Sequence, residues 1–173
     1  MALVPPLDAT PEDVRRILAP IRNDFSIAVY NCQNAFAVGA IIGVAHSFLA
    51  REIFVVGDAP YYEKASMGME KYETIVVVKD EMDLFAHLGE RPVWAVEKDH
   101  ARRSLYSVGA FPKGVVFFVG SERAGLPAAI VARADEVIGI PMYGVNHSFP
   151  VAVAAGIVMS EWARRHYGEG ATL

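Results

Sequence analysis

The chain has 173 residues, 53% hydrophobic and 21% charged, with 16 Lys and Arg against 20 Asp and Glu for a formal net charge of −4. This supplies the core of one domain of ordinary size and excludes a disordered chain, while the acidic balance argues against strong autonomous binding to nucleic-acid phosphates. The single cysteine, Cys32, has no partner for an internal disulfide, which points to a reducing, cytoplasmic setting.

The first residues, Met1-Ala2-Leu3-Val4-Pro5-Pro6, lack the basic and apolar regions of a secretory signal. Thr10-Pro11-Glu12-Asp13 reads as a helix start, with Thr10 as cap, Pro11 at the first helical position and acids at the positive end of the dipole. Pro20 stops that helix at about Ala19. Ser26 to Tyr30 is a short β-prone run. Asn34 to Phe48 reads as a helix that is apolar nearly all round. Its longest apolar stretch, 35–45, is too short to cross a bilayer, which takes about 20 residues. Gly39 and Gly43 share one face of it and admit another backbone closely. Glu52 to Val56 is a strand ending at Gly57.

Residues 58–73 are the longest irregular region and carry Tyr61, Tyr62, Lys64 and Lys71. They suit a functional loop or a plain surface excursion equally. Thr74 to Val78 is a strand buried on both faces. Asp80 to Leu88 is a helix ending at Gly89, Val93 to Val96 a strand, and Asp99 to Val108 a helix. Val115 to Val119 is a strand, Leu126 to Ala134 a short helix, and Glu136 to Ile140 the last strand. Ser148 to His166 is a long final helix, followed by a frayed tail over 168–173. The alternation predicts an α/β domain over 26–167, a mostly parallel sheet with helices on both faces. A helical extension over 1–25 packs on that core.

In open parallel sheets ligands sit beyond the carboxyl ends of strands. Two such ends are unusual. Val119-Gly120-Ser121-Glu122-Arg123-Ala124-Gly125-Leu126 carries two glycines that allow tight turns and close approach to a ligand. It is neither a P-loop nor a GxGxxG loop. Ile140-Pro141-Met142-Tyr143-Gly144-Val145-Asn146-His147-Ser148-Phe149-Pro150 joins the last strand to the last helix, whose free N–H groups suit a carboxylate or phosphate oxygen. Each, taken alone, also reads as an ordinary strand-to-helix turn. The five histidines and Cys32 show no metal-ligand spacing.

Taken in order, Gly-Ser-Glu-Arg-x-Gly-Leu, Ile-Pro-Met and Ser-x-x-Val-Ala-Val-Ala-Ala-Gly-Ile resemble the two C-terminal motifs of the SpoU/TrmH family of SPOUT RNA methyltransferases. Val93-Trp94-Ala95-Val96-Glu97 resembles the preceding strand of that family. Gly39-Ala40-Ile41-Ile42-Gly43-Val44-Ala45-His46-Ser47-Phe48 resembles its N-terminal motif, so the resemblance spans roughly Ser26 to His166. It implies a C-terminal deep trefoil knot, S-adenosyl-L-methionine as cofactor, and 2′-O-ribose methylation of RNA, with tRNA preferred and rRNA second. It implies a homodimer whose interface involves the first and last core helices. Carried over residue by residue, the cofactor contacts are Ala95, Val96 and Glu97; Gly120, Glu122 and Gly125; Ile140, Pro141 and Met142; and Ser148 with Phe149. Val96, Ile140, Met142 and Phe149 make an apolar slot suited to adenine.

The departures from the family pattern fall on catalytic positions. The family's Asn stands at Ala37, its Arg at Gly43, and the Asn of Ser-Leu-Asn at Pro150. A ribose 2′-hydroxyl is a very weak acid, so transfer needs a group that takes its proton or stabilises the charge, and glycine offers none. Either another residue substitutes or the chain is a weak or inactive homologue that binds cofactor, RNA or both. The candidate catalytic residues are Glu122, Ser148 and His147, whose imidazole shuttles protons near neutral pH. Asn34, His46, Arg51, Arg123 and Asn146 are further substitutes. Arg15-Arg16, Arg102-Arg103 and Arg164-Arg165 read as decoration of solvated helix faces. The α/β pattern by itself also suits an unrelated small-molecule binder.

Overall fold

A computed structural model describes residues 6, 8–58, 61–121 and 123–166. In chain order the elements are α1 (Pro11–Leu18), β1 (Ser26–Tyr30), α2 (Ala35–Ser47), β2 (Ile53–Val56), β3 (Ile75–Val78) and α3 (Glu81–Leu88). There follow β4 (Val93–Val96), β5 (Arg103–Ser104), β6 (Val116–Val119), α4 (Ala128–Arg133), β7 (Glu136–Gly139) and α5 (Val151–Arg165). Tight 3-10 turns occupy Ala19–Ile21, Glu63–Ser66 and Met69–Tyr72.

Every strand pairing among the described residues is parallel, in the order β3-β2-β1-β6-β4-β7-β5. Because side chains alternate along a strand, the sheet feeds two cores. Ile27, Val29, Val55, Trp94, Phe117 and Ile138 pack under α2 and α5. Ala28, Phe54, Val56, Ala95, Phe118 and Val137 pack under α3 and α4. Helices thus cover both faces, as the alternating pattern predicts.

Local chemistry sets the helix starts. Thr10 and Asp13 form a reciprocal capping box on α1. Asn34 Oδ1 accepts from the Phe36 and Ala37 amides at the start of α2, and Asp80 does the same for α3 through Asp83. Val14 and Leu18 are the buried residues of α1. The tail expected over 168–173 lies outside the described residues.

Three expectations change. Residues 99–108 are not a helix. Their backbone is drawn to the sheet edge instead: the Arg102 amide donates to Val137 O at 2.8 Å and the Leu105 amide to Gly139 O at 2.8 Å, on either side of β5. The glycine face of α2 receives this chain's own loop. A Cβ on Gly39 would stand 2.4 Å from the Tyr62 carbonyl oxygen, and one on Gly43 would meet the Ser66 backbone at 3.4 Å. These glycines therefore seat the 62–66 turn, the close backbone approach expected of them, whereas β3, expected to be buried on both faces, is the edge strand of the sheet with Val77 65% exposed. Finally, α5 begins at Val151, because Pro150 holds an extended backbone at the cap and the residue before a proline resists helical angles. Ser148 and Phe149 stay in the loop.

Candidate functional site

The order of the sheet places β6, β4 and β7 side by side. Their carboxyl ends surround a cavity of about 320 Å³, within the range of small-molecule sites. Both glycine-bearing segments singled out in the sequence meet there, with the residues after β4 between them.

The turn after β6 is built by close backbone approach. A Cβ on Gly120 would lie 2.3 Å from the carbonyl carbon of Gly125. Gly125 itself has φ +62, in the left-handed region that favours glycine. Its amide donates to Ser121 O at 2.9 Å, and Ser121 Oγ accepts from the Ala124 amide at 3.2 Å. Glu97 reaches across from the end of β4. One carboxylate oxygen accepts from the Leu126 amide at 3.1 Å and the other from the Asp99 amide at 3.3 Å. The Glu97 amide donates to Ile138 O at 3.0 Å. Glu97 thus ties all three strand ends together. Lys98 Nζ donates to His147 O at 2.7 Å and fixes the loop between β7 and α5.

Of the expected cofactor residues, Val96, Glu97, Gly120, Gly125, Ile140, Met142, Ser148 and Phe149 line this cavity. Ala95 does not: its side chain is fully buried in the core under α3 and α4. Pro141 faces a neighbouring groove. Glu122 lies outside the described residues. His147 and Ser148 are at the cavity, as is Arg123. The sequence reading missed Lys98, Asp99 and His100, which also line it. Assigning 99–108 to a helix had removed Asp99 and His100 from the strand end.

Two proposed substitutes for the missing arginine are on the opposite edge of the sheet. His46 Nδ1 lies 2.7 Å from Glu73, just before β3, and Arg22 forks onto the same carboxylate at 2.7 and 3.0 Å. Arg51 precedes β2, and its amide donates to Phe25 O, ahead of β1. Neither side chain is near the carboxyl ends. Asn34 remains at that end, but its side chain caps α2.

The arm after β4 is clasped to α5. Arg165 donates to Leu105 O at 3.1 Å, to Val108 O at 2.6 Å and also to Gly109 O. Glu161 holds Arg164 at 2.8 Å and Arg165 at 2.6 Å. The hydrogen bond from Arg164, reinforced by Arg165, lowers the Glu161 carboxyl to about 2. Among the described residues no group of His, Cys, Asp and Glu is placed to hold a metal ion. No described helix is long and apolar enough to cross a membrane.

Comparison with known proteins agrees with this geometry. The model of the SpoU rRNA methylase family matches residues 24–160. The tRNA (guanosine(18)-2′-O)-methyltransferase of Thermus thermophilus is 26% identical over 162 residues, covering 91% of this chain and 83% of its own. An AdoMet-bound rRNA methyltransferase from Sinorhizobium meliloti superposes with TM-score 0.77 at 25% identity. It covers 90% of this chain, which spans 61% of that structure. The A. aeolicus TrmH/SpoU tRNA modifying enzyme superposes with TM-score 0.76 at 25% identity, covering 90% of this chain and 82% of its own. With the family model spanning most of its length, both motif-bearing turns included, this chain belongs to the SpoU rRNA methylase family.

Proposed function

We propose that the chain is an S-adenosylmethionine-dependent RNA methyltransferase acting on a ribose 2′-hydroxyl, with tRNA the preferred substrate and rRNA the second. The observation that carries this reading is the convergence of three neighbouring strand ends on one cavity, with two family motifs in its wall.

The residues fit the cofactor. Val96, Val119, Leu126, Ile140 and Met142 offer apolar surface for a purine. The backbone of the glycine turn is exposed to the cavity where a side chain on Gly120 would not fit. Bound there, S-adenosylmethionine supplies an electrophilic methyl group. The chain's own residues do the rest. Glu97 fixes the two walls, and Lys98 anchors the His147 backbone. The His147 imidazole, at the cavity, accepts the 2′-hydroxyl proton at a ring nitrogen, with Ser148 beside it and Glu122 as the further acidic candidate. Arg123, which lines the cavity together with Lys98, stands in for the family arginine, whose position is Gly43.

The family likeness further supports a trefoil knot around this cavity, a domain over 26–167, a homodimer and a cytoplasmic setting. Exposed apolar side chains on the loop after β7 and on α5, Tyr143, Val145 and Val153, suit a covered surface in such a dimer. Mass spectrometry of bulk RNA incubated with protein and S-adenosylmethionine tests the activity. The expected result is one new 2′-O-methylnucleoside. No methylated nucleoside in tRNA or rRNA, despite cofactor binding by calorimetry, would overturn it.

A further inference from the structure

A second groove lies on the other side of the segment that follows β7. Lys98, Ile140 and Met142 border both this groove and the cofactor cavity. The new groove adds Arg102 and Arg103 from the β5 edge and holds about 420 Å³. Three cations and no carboxylate line it, in a chain whose formal charge is −4.

The cations are held by a fixed backbone. The Arg102 amide is bonded to Val137, Arg103 is in register with Ile138, and a Cβ on Gly139 would already meet the Ala101 side chain at 2.9 Å. Arg103 keeps a loose 3.4 Å contact to Glu136 while 60% exposed. Lys98 is bonded to a backbone oxygen, not to an acid. Arg102 is exposed and makes no side-chain hydrogen bond or ion pair with any described residue. Asp99 and His100 line the cofactor side of Lys98 and not this groove.

We propose that Arg102, Arg103 and Lys98 seat phosphates of the RNA strand that presents its ribose to the cofactor cavity. This rests on the methyltransferase reading above. It also revises the expectation that Arg102-Arg103 decorates a solvated helix face, since the pair lies on a sheet edge. Guanidinium groups bind phosphate oxygens in pairs, and each phosphate neutralised releases counterions. A groove sharing its wall with the cavity lets one strand engage both.

The test compares wild type with Arg102→Ala/Arg103→Ala and with the charge-keeping Arg102→Lys/Arg103→Lys pair. Calorimetry with S-adenosylmethionine is the control for folding, because neither arginine lines the cofactor cavity. Affinity for bulk tRNA is then measured as salt is varied. The alanine pair should bind cofactor like wild type but tRNA more weakly. Its log-affinity against log-salt slope should be shallower by about 0.7 to 0.9 for each phosphate that is no longer neutralised, and the lysine pair should restore most of that slope. Unchanged tRNA affinity and slope in the alanine pair would overturn this assignment and leave the methyltransferase reading standing. Wild type that binds cofactor but neither tRNA nor rRNA would overturn both.

Discussion

Glu97 and Leu126 are joined by a 3.1 Å hydrogen bond that links the end of β4 to the far side of the glycine turn after β6. A carboxylate accepting backbone amides is among the stronger hydrogen bonds in proteins. Glu97→Ala removes both acceptors and frees the turn, so S-adenosylmethionine affinity should fall by about 2 kcal/mol, roughly thirtyfold in Kd. Glu97→Gln keeps one neutral acceptor and should lose less. Calorimetry at matched temperature reads both. Equal affinity in wild type and the alanine variant would remove Glu97 from the architecture of the site.

The two glycines of α2 give opposite expectations. A Cβ at Gly39 would collide with the Tyr62 carbonyl at 2.4 Å and the Ala65 side chain at 2.9 Å. Gly39→Ala should therefore push the 62–66 turn off the helix and destabilise the fold by about 1 to 3 kcal/mol. At Gly43 the nearest atom lies at 3.4 Å, an ordinary contact. Glycine in a helix interior is also less favourable than alanine by up to about 1 kcal/mol. Gly43→Ala should be neutral or stabilising. Denaturant melts of the two variants side by side give the comparison.

These residues also mark what the chain's letters reveal. The strands were legible because runs such as Ile53–Val56 and Val116–Val119 are apolar throughout, as parallel strands covered on both faces require, whereas the equally apolar Ile75–Val78 forms the partly exposed edge of the sheet. The glycine-bearing turns were legible because only such residues allow that local geometry. Strand order was not, and it is what brings the ends of β6, β4 and β7 together around one cavity with His100 at it, far from His46 and Arg51 beside β2 and β3. The 99–108 segment misled for a related reason. Its backbone partners, Val137 and Gly139, lie more than thirty residues downstream, so no local pattern records them.

Glu73 is the hub at that far edge. Its carboxylate, fully buried, accepts from Arg22 twice and contacts His46, while Arg22 also donates to Ala50 O at 2.8 Å and Tyr72 O at 2.6 Å. Glu73→Ala leaves a mostly buried guanidinium without its anion, which costs about 3 to 5 kcal/mol. The loss should appear as a lower denaturant midpoint. Because the hub is remote from the cavity, a variant that remains folded should bind S-adenosylmethionine with near wild-type affinity. A large affinity loss in folded protein would mean that the 61–73 loop communicates with the cavity.

Glu161 sets an acid limit on the clasp between α5 and the 105–109 arm. Its folded carboxyl titrates at about 2 against an ordinary glutamate value of 4.5, chiefly through the Arg164 hydrogen bond with help from Arg165. A depressed folded pKa means that the unfolded chain binds the proton first as pH falls. The stabilisation is therefore complete above about 4.5 and disappears as pH drops to about 2, at most about 3 kcal/mol in all. Glu161→Gln should melt lower than wild type at pH 7, with the gap closing across that window. Arg165→Ala should also release Leu105, Val108 and Gly109, whereas Arg164→Ala leaves those carbonyl bonds in place. Thermal melts from pH 7 down to 2 test the order. A gap between wild type and Glu161→Gln that stays constant with pH would place the stabilising contact elsewhere on α5.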